Sequence, residues 1–237
     1  MKSNVIVIAN RKGGCGKTTT AKNIAYELGK KKKTLLIDFD PQSNATQGLS
    51  KKGYLRSVID FLHRKSAIAP TRFGFHIMPG NDFLASEIQH VDLEDVSYRL
   101  NLLQLEYEAI IIDTSPYFNE LIAMAMDCCH LLIVPTCINS DSLSGMATTL
   151  DEASNFGNIR ECKVLFTDVA DKRKTVMKDM AALREELQDL CFEQYIRHCY
   201  SVERARKRQQ PIGKRYGKSS AAKDYAALAE EIIKEVY

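Results

Sequence analysis

A glycine-rich segment, residues 10–20, holds residue types that could bind a chain of phosphates. Its glycines permit positive φ and close approach of the backbone, so successive amides can point at phosphate oxygens. Lys17 supplies a cation for the β and γ phosphates, Thr18 offers a hydroxyl to Mg²⁺, and Thr19 can bond a phosphate oxygen from the first helical turn. The sequence therefore predicts an MgATP-binding loop. Its candidate residues are Gly13, Gly14, Cys15, Gly16, Lys17, Thr18 and Thr19.

Three acidic residues follow buried apolar runs and could serve the same site. Asp38 and Asp40 alternate at the end of one predicted strand, so both side chains lean toward the edge where phosphate and metal should lie. Asp113 ends the apolar run Ala109–Ile112, an arrangement that brings a carboxylate to Mg²⁺. We predict that Thr18 and Asp113 belong to the metal site, with Asp38 as an anchor for the metal or for Lys17. Helix capping and solubility at a strand end are the alternative roles for the two residues after the second strand.

The elements that position these residues alternate between β-branched apolar runs and helical patterns. This alternation predicts an α/β fold: a doubly wound, mostly parallel sheet with helices on both faces. The predicted strands are Val5–Ile8, Thr34–Ile37, Phe75–Met78, Ala109–Ile112, Leu131–Val134 and Lys163–Phe166. Apolar residues recur at helical spacing after the glycine-rich loop, from Leu121 to Ala125, and from Tyr225 to Ile233. The weaker periodicity between Gly48 and Gly74 predicts a solvated loop with a short helix.

Composition limits the class of protein. The chain has 237 residues, is 45% hydrophobic and carries a formal charge of +3, which suits one compact domain spanning residues 1–237. No apolar stretch approaches the roughly 18 residues that a membrane helix needs. Seven irregularly spaced cysteines predict a reducing cytoplasm rather than a disulfide framework.

The glycine-rich loop also resembles a known family. The sequence KGGCGKTT, from Lys12 to Thr19, is similar to the deviant Walker A motif of the ParA and MinD superfamily of P-loop ATPases. In that family the lysine at the position of Lys12 reaches across a nucleotide-sandwiched dimer to the partner's phosphates. The resemblance therefore implies that Lys12 joins the nucleotide site, where a second cation can stabilise charge on the transferring phosphoryl group.

Further motifs carry the resemblance along the chain. LLIDFDPQSNAT, residues 35–46, resembles the second ParA-type motif and implies that Asp40 orients the attacking water, so the catalytic set is Lys12, Lys17 and Asp40. DTSP, residues 113–116, resembles the family's DTPP switch, and Asn119 matches a position near the γ phosphate. Thr167 and Asp168 are the candidates for contact with the base. Residues 196–198 read Ile-Arg-His where relatives carry Ile-Pro-Arg, so the family's contacts there do not transfer.

Within the superfamily the sequence most resembles the ParA and Soj partition ATPases, and it begins directly at the first predicted strand. We therefore expect no winged-helix extension before the ATPase domain.

Positive charge is concentrated near the C-terminus. Between Arg197 and Lys223 the sequence has nine lysines and arginines and a single acid, Glu203. A patch of this kind neutralises phosphates without reading bases, although it could also be an ordinary solvated basic face. The sequence and the resemblance together predict non-specific binding of double-stranded DNA. The candidate residues are Arg204, Arg206, Lys207, Arg208, Lys214, Arg215 and Lys218.

The family resemblance implies a switch for DNA segregation. MgATP would promote a homodimer that binds DNA, and a ParB-like centromere-binding protein would stimulate hydrolysis and release the DNA. The expected location is the cytoplasm, in association with the nucleoid. A related ATPase that positions a protein cargo is the alternative within the same class.

Three other classes of protein are alternatives, and the first two fit the sequence less well. A MinD-like membrane ATPase would need a basic amphipathic C-terminal helix, whereas the final nine residues carry Glu230, Glu231 and Glu235, so we expect no membrane partner. An iron–sulfur reductase would need cysteines at a dimer seam, for which Cys128, Cys129 and Cys137 are candidates. A scaffold that senses ATP without turnover has the same sequence features as a slow enzyme.

Overall fold

The computed structural model describes residues 4–50 and 53–236, with no description of the Val236 side chain. Within these residues seven strands form one sheet. The strands are β1 (Asn4–Ile8), β2 (Thr34–Phe39), β3 (Ala69–Pro70), β4 (His76–Met78), β5 (Ala109–Thr114), β6 (Leu131–Thr136) and β7 (Glu161–Phe166). The six predicted strands are all present. The unpredicted β3 has only two residues, one of them a proline, which is tolerated at a sheet edge but leaves no apolar run to recognise.

The sheet order is β3-β4-β2-β5-β1-β6-β7, and all neighbours are parallel except β3 and β4. In this order β5 lies between β1 and β2. Its register places Asp113 opposite Ile8 of β1 and Asp38 of β2. The sheet therefore brings the end of the first strand and two of the predicted acidic residues together at the carboxyl ends of the parallel strands.

Helices cover both faces, which confirms the predicted doubly wound α/β class. The longer ones are α1 (Lys17–Leu28), α4 (Leu93–Leu103), α5 (Glu120–Asp127), α6 (Ser140–Ala153), α7 (Lys174–Leu187), α8 (Tyr200–Lys207) and α10 (Ser220–Val236). Shorter turns are α2 (Val58–Leu62), α3 (Leu84–Glu87) and α9 (Ile212–Tyr216), with 3₁₀ turns at Ile88–His90 and Gln188–Leu190. The loop predicted between Gly48 and Gly74 thus contains the expected short helix, α2.

The core is divided in two by the sheet. Val5 and Val7 of β1 pack on one side with residues of α4, α5 and α6, while Ile6 and Ile8 pack on the other with α1 and α10. Alternate residues of one strand face opposite layers, as the period of two requires. No helix in residues 4–50 and 53–236 is long and apolar enough to cross a membrane. Tyr237, the last residue of the acidic tail, lies outside the described residues.

Candidate nucleotide site

The glycine-rich loop connects the end of β1 at Ile8 to the start of α1 at Lys17. Gly14 and Gly16 adopt φ of +83° and +96°, a conformation that residues with a Cβ rarely adopt. A Cβ built at Gly13 or Gly14 would meet nothing within 4 Å, so the space in front of the loop is open. The loop therefore has the shape of a cradle that leaves room for a ligand against its backbone.

Contacts behind the loop hold that shape. The Asn10 side chain donates to the Pro135 carbonyl at 2.8 Å and accepts from the Lys12 amide at 2.8 Å. The Thr167 hydroxyl donates to the Cys15 carbonyl at 2.8 Å, and the Cys15 side chain is 2% exposed. Cys15 thus packs beneath the loop, and Thr167 supports the loop from behind.

Lys17 is almost buried, and its ammonium is held by the loop itself. Its Nζ donates to the carbonyls of Asn10 at 2.9 Å and of Lys12 at 3.0 Å. These neutral acceptors keep the charge inside the cradle, where phosphate oxygens would make stronger, charge-assisted bonds. The geometry suits the predicted role of Lys17 as a phosphate-binding cation.

The two acidic residues on neighbouring strands have different surroundings. Both are fully buried, but Asp38 Oδ2 accepts hydrogen bonds from the Thr46 amide at 2.8 Å and the Thr46 hydroxyl at 2.6 Å. Neither carboxylate oxygen of Asp113 has a hydrogen-bond partner among the described residues. Asp38 is therefore occupied with a loop that follows β2, whereas Asp113 has two oxygens available for a ligand.

Burial dominates the electrostatics of this pair. Burial raises the pKa of Asp113 well above its usual range, and the Asp38 carboxylate raises it further, while Thr18 and Lys17 lower it. Burial also raises the pKa of Asp38, against the opposing effect of its bonds to Thr46. An unpaired buried carboxylate is costly, and a divalent cation would remove that cost.

The donor set fits Mg²⁺ better than a metal bound by protein ligands alone. Among the described residues there is no group of three His, Cys, Asp or Glu side chains that could hold a metal. Mg²⁺ is usually bound through one or two carboxylates, with substrate phosphates and water completing its shell. Asp113 and the Thr18 hydroxyl provide that limited set, and Asp38 stands behind them as the anchor of the loop.

Asp40 lies just beyond β2 and lines the open space. Its Oδ1 accepts from the Gln42 amide at 2.9 Å, its own amide points at Asp38 Oδ1 at 3.3 Å, and the residue is 7% exposed. The carboxylate is thus oriented by its own loop and retains a second oxygen. This geometry can orient a water molecule beside the cradle.

One further cation at this site, Lys22, was not predicted from the sequence. It is buried on the second turn of α1, and its Nζ donates to the carbonyls of Gln47 at 2.8 Å and Asn44 at 3.3 Å. Burial lowers the pKa of Lys22 to about 8, and Asp38 and Asp113 oppose that shift. Lys22 therefore ties helix α1 to the loop that begins at Asp40.

Lys12 does not point into the cradle in this single chain. Its ammonium pairs with Asp141 on the first turn of α6 at 3.0 Å, and both side chains are exposed.

Asn119, another residue predicted near the phosphates, caps α5 by accepting a hydrogen bond from the Ile122 amide.

A cavity of about 420 Å³ lies in front of the loop. On one side it is bounded by the glycine-rich loop and α1, with Asp40 and the residues that follow it. The other side is formed by α8 and the segment between α8 and α9. Asp168 is not among the described residues that line the cavity; it pairs with His198 at 2.7 Å. The candidates for contact with the base, Thr167 and Asp168, are thus placed behind and beside the loop.

The basic segment forms α8, α9 and their flanks. All seven predicted DNA-binding residues are exposed. Lys207 pairs with Glu203 at 2.7 Å, and the Arg204 guanidinium lies 5.8 Å from the ring centres of Tyr200 and of Tyr216. Arg197 differs from the rest, because it forms a close ion pair with the buried Asp224. The exposed cations therefore begin at α8.

The cysteines considered for an iron–sulfur site are placed as packing residues. Cys128 and Cys129 are 8% and 1% exposed, and burial raises the pKa of both thiols. Cys137 lies 3.5 Å from the Thr167 hydroxyl, under the glycine-rich loop. These positions favour structural thiols over cluster ligands.

Comparison with known proteins agrees with the fold and the loop. The AAA domain family AAA_31 matches residues 3–163. The chromosome-partitioning ATPase Soj of Thermus thermophilus is 29% identical over 239 residues, covering 98% of this chain and 96% of that protein. Among solved structures, apo McdA from Cyanothece superposes with a TM-score of 0.82 at 21% identity, covering 97% of this chain and 99% of that one. The septum site-determining protein MinD from Pyrococcus horikoshii, in complex with Mg-ADP, has a TM-score of 0.79 at 21% identity, covering 98% and 96%.

The chain therefore belongs to this AAA domain family, in the ParA and MinD class of P-loop ATPases.

Proposed function

We propose that this P-loop ATPase segregates DNA, as a homodimer that forms with MgATP, binds DNA without sequence preference, and releases it after hydrolysis. The observation that carries the proposal is the position of the basic segment. Seven exposed cations lie on α8, α9 and their flanks, and α8 itself forms part of the wall of the nucleotide cavity.

ATP and Mg²⁺ are the cofactors that fit the site. Loop amides and Lys17 would hold the phosphates, and Asp113 and Thr18 would hold the metal, while Asp38 anchors the adjoining loop. When bound, Mg²⁺ neutralises charge on the phosphate oxygens. Asp40, fixed by its own loop, orients the water that attacks the terminal phosphate.

Lys12 supplies the link to dimer formation. Its ammonium lies on the surface and is held by an exposed ion pair with Asp141, which is a weak interaction in water. A partner's phosphate chain carries more negative charge than one carboxylate, so exchange of Asp141 for that chain is favourable. Lys12 of each subunit then completes the other subunit's site, as a trans-acting cation does in other phosphoryl-transfer enzymes.

The basic segment supports contact with the DNA backbone. Its cations are exposed, Glu203 is already paired with Lys207, and the segment contains no other acid that would repel phosphate. One subunit offers few contacts, whereas a dimer doubles the surface and the number of counterions released. We further propose cytoplasmic, nucleoid-associated action with a ParB-like partner that stimulates hydrolysis.

A charge-matched comparison tests the DNA surface. Replacement of Arg208, Lys214, Arg215 and Lys218 by Gln removes four exposed cations from the segment. Replacement of Lys172, Arg173, Lys174 and Lys178 by Gln removes four exposed cations around α7 and serves as the control.

Fluorescence anisotropy with unrelated DNA duplexes, at several salt concentrations and with a nonhydrolysable ATP analogue, measures the affinity. The variant that lacks four cations of the basic segment should lose affinity for DNA. The slope of its log affinity against log salt concentration should flatten by roughly one unit per lost phosphate contact. ATP binding should be unchanged in both variants. An equal or larger loss in the α7 variant would show that the DNA surface lies elsewhere.

A further inference from the structure

The wall of the nucleotide cavity opposite the phosphate cradle has a distinct composition. It is built by α8 and the segment that leads to α9, and its apolar members are Val202, Ala205 and Ile212. Ala205 and Ile212 are each 1% exposed overall, so they form a fixed floor. Apolar groups of this kind suit the flat face of an aromatic ring rather than a phosphate.

Two polar residues complete this wall. Of the seven cations in the basic segment, all of which are described, Arg206 alone lines the cavity. Gln210 also lines it, and its Nε2 is buried without a hydrogen-bond partner among the described residues. A buried amide donor without a partner destabilises the chain, so a ligand that accepts its hydrogen bond gains affinity.

The wall is held at a fixed distance from the rest of the site. The Gln209 side chain donates to Gln47 Oε1 at 3.0 Å, and the Ile212 amide donates to Asn23 Oδ1 on α1 at 2.8 Å. A Cβ at Gly48 would lie 2.3 Å from Gln209, so the two segments are in close contact there. The cavity therefore has a preformed second wall rather than an open flank.

We infer that this wall binds the base of ATP, with the Arg206 guanidinium over the ring and the Gln210 amide at its edge. The inference rests on the proposed binding of ATP. Phosphates are taken by the opposite side, where Lys17 and the glycine-rich loop lie, which leaves the base for the apolar wall. A guanidinium stacks well on a planar ring, and an amide can donate to a ring nitrogen. Arg206 would thus contact the nucleotide, whereas the next two cations, Lys207 and Arg208, are exposed and do not line the cavity.

The test compares ATP with inorganic tripolyphosphate, which has the phosphates but no base. Binding is measured by titration calorimetry for the wild-type chain and for Arg206→Ala, with Arg173→Ala as the control. Arg173 is an exposed arginine that does not line the cavity. Arg206→Ala should weaken ATP binding about tenfold and leave tripolyphosphate binding unchanged, whereas Arg173→Ala should change neither.

Gln210→Met provides a second variant that keeps the side-chain volume. It should weaken ATP without lowering the thermal stability of the nucleotide-free chain, because it removes an unpaired donor. Wild-type ATP affinity in both variants would overturn the inference and leave the proposed function intact. Equal losses for ATP and tripolyphosphate in Arg206→Ala would also overturn it, since Arg206 would then contact phosphate. A wild-type chain that bound neither ligand would refute both.

Discussion

Replacement of Asp113 by Asn should stabilise the nucleotide-free chain while abolishing its response to MgATP. Both carboxylate oxygens of Asp113 are buried and without partners, and its pKa is raised by burial and by Asp38. Leaving such a group unsatisfied costs more than about 1–3 kcal/mol, and a neutral amide of the same shape retains part of that cost. We expect a gain of about 2 kcal/mol, which corresponds to a rise of roughly 4–8 °C in Tm for a chain of this size.

The gain should depend on pH in a defined direction. A carboxyl with a higher pKa in the folded than in the unfolded chain binds more protons when folded, so ionisation destabilises the fold. That penalty is absent below the unfolded pKa and complete above the folded pKa. The stabilisation by Asp113→Asn should therefore be larger at pH 8 than at pH 5.

Scanning calorimetry with EDTA, and again with excess MgATP, measures both effects. Ligand at a hundred times its Kd should stabilise the wild-type chain by about 2.7 kcal/mol, and the variant should show little of this gain. The exposed Asp82→Asn is the matched control and should behave as wild type in both conditions. A variant that is less stable than wild type without ligand, or that keeps the full response to MgATP, would refute the assignment of Asp113.

Three other perturbations address residues around the cradle. Asp40→Ala should retain ATP binding yet slow hydrolysis and prolong the dimer, because the water loses its orienting carboxylate; undiminished partner-stimulated turnover would contradict this. Lys12→Ala should impair analogue-dependent dimerisation in sedimentation more than nucleotide binding by the monomer, and Asp141→Ala, which frees Lys12, should raise the dimer fraction. An unchanged dimer fraction in both would remove the trans role. The wild-type free energy of unfolding should rise between about pH 8 and pH 10, because the pKa of Lys22 is about 8 folded but roughly 10.4 unfolded, so the unfolded chain holds more protons. Urea titrations should show no such rise in Lys22→Met, and an identical rise in that variant would exclude Lys22 as its cause.

Local sequence was sufficient for the parts of the site that lie within one segment. The conformations of Gly14 and Gly16 and the position of Lys17 follow from a glycine-rich loop between a strand and a helix. The buried apolar runs were long enough to define six strands and to place Asp113 at a strand end. These features depend on residues that lie close together in the sequence, so the sequence alone is enough to predict them.

Features that depend on tertiary packing could not be predicted from the sequence. Lys22 stands within a helical pattern and gains its role only because the loop after β2 places two carbonyls beside it. Arg206 was predicted from the sequence as one of a run of DNA-binding cations, and only the packing of α8 shows that it also lines the cavity in front of the cradle. Thr167 was a candidate for contact with the base, but its hydroxyl donates to the Cys15 carbonyl and the residue does not line the cavity.

DNA affinity of the wild-type chain, measured with and without a nonhydrolysable ATP analogue, tests whether nucleotide-dependent dimer formation controls DNA binding. Unrelated duplexes should compete about equally, and log affinity should fall linearly with log salt, since phosphates are contacted. Affinity should rise sharply when the analogue and Mg²⁺ are added, because dimer formation doubles the basic surface. Equal DNA affinity of the nucleotide-free and analogue-bound forms would contradict control of DNA binding by ATP.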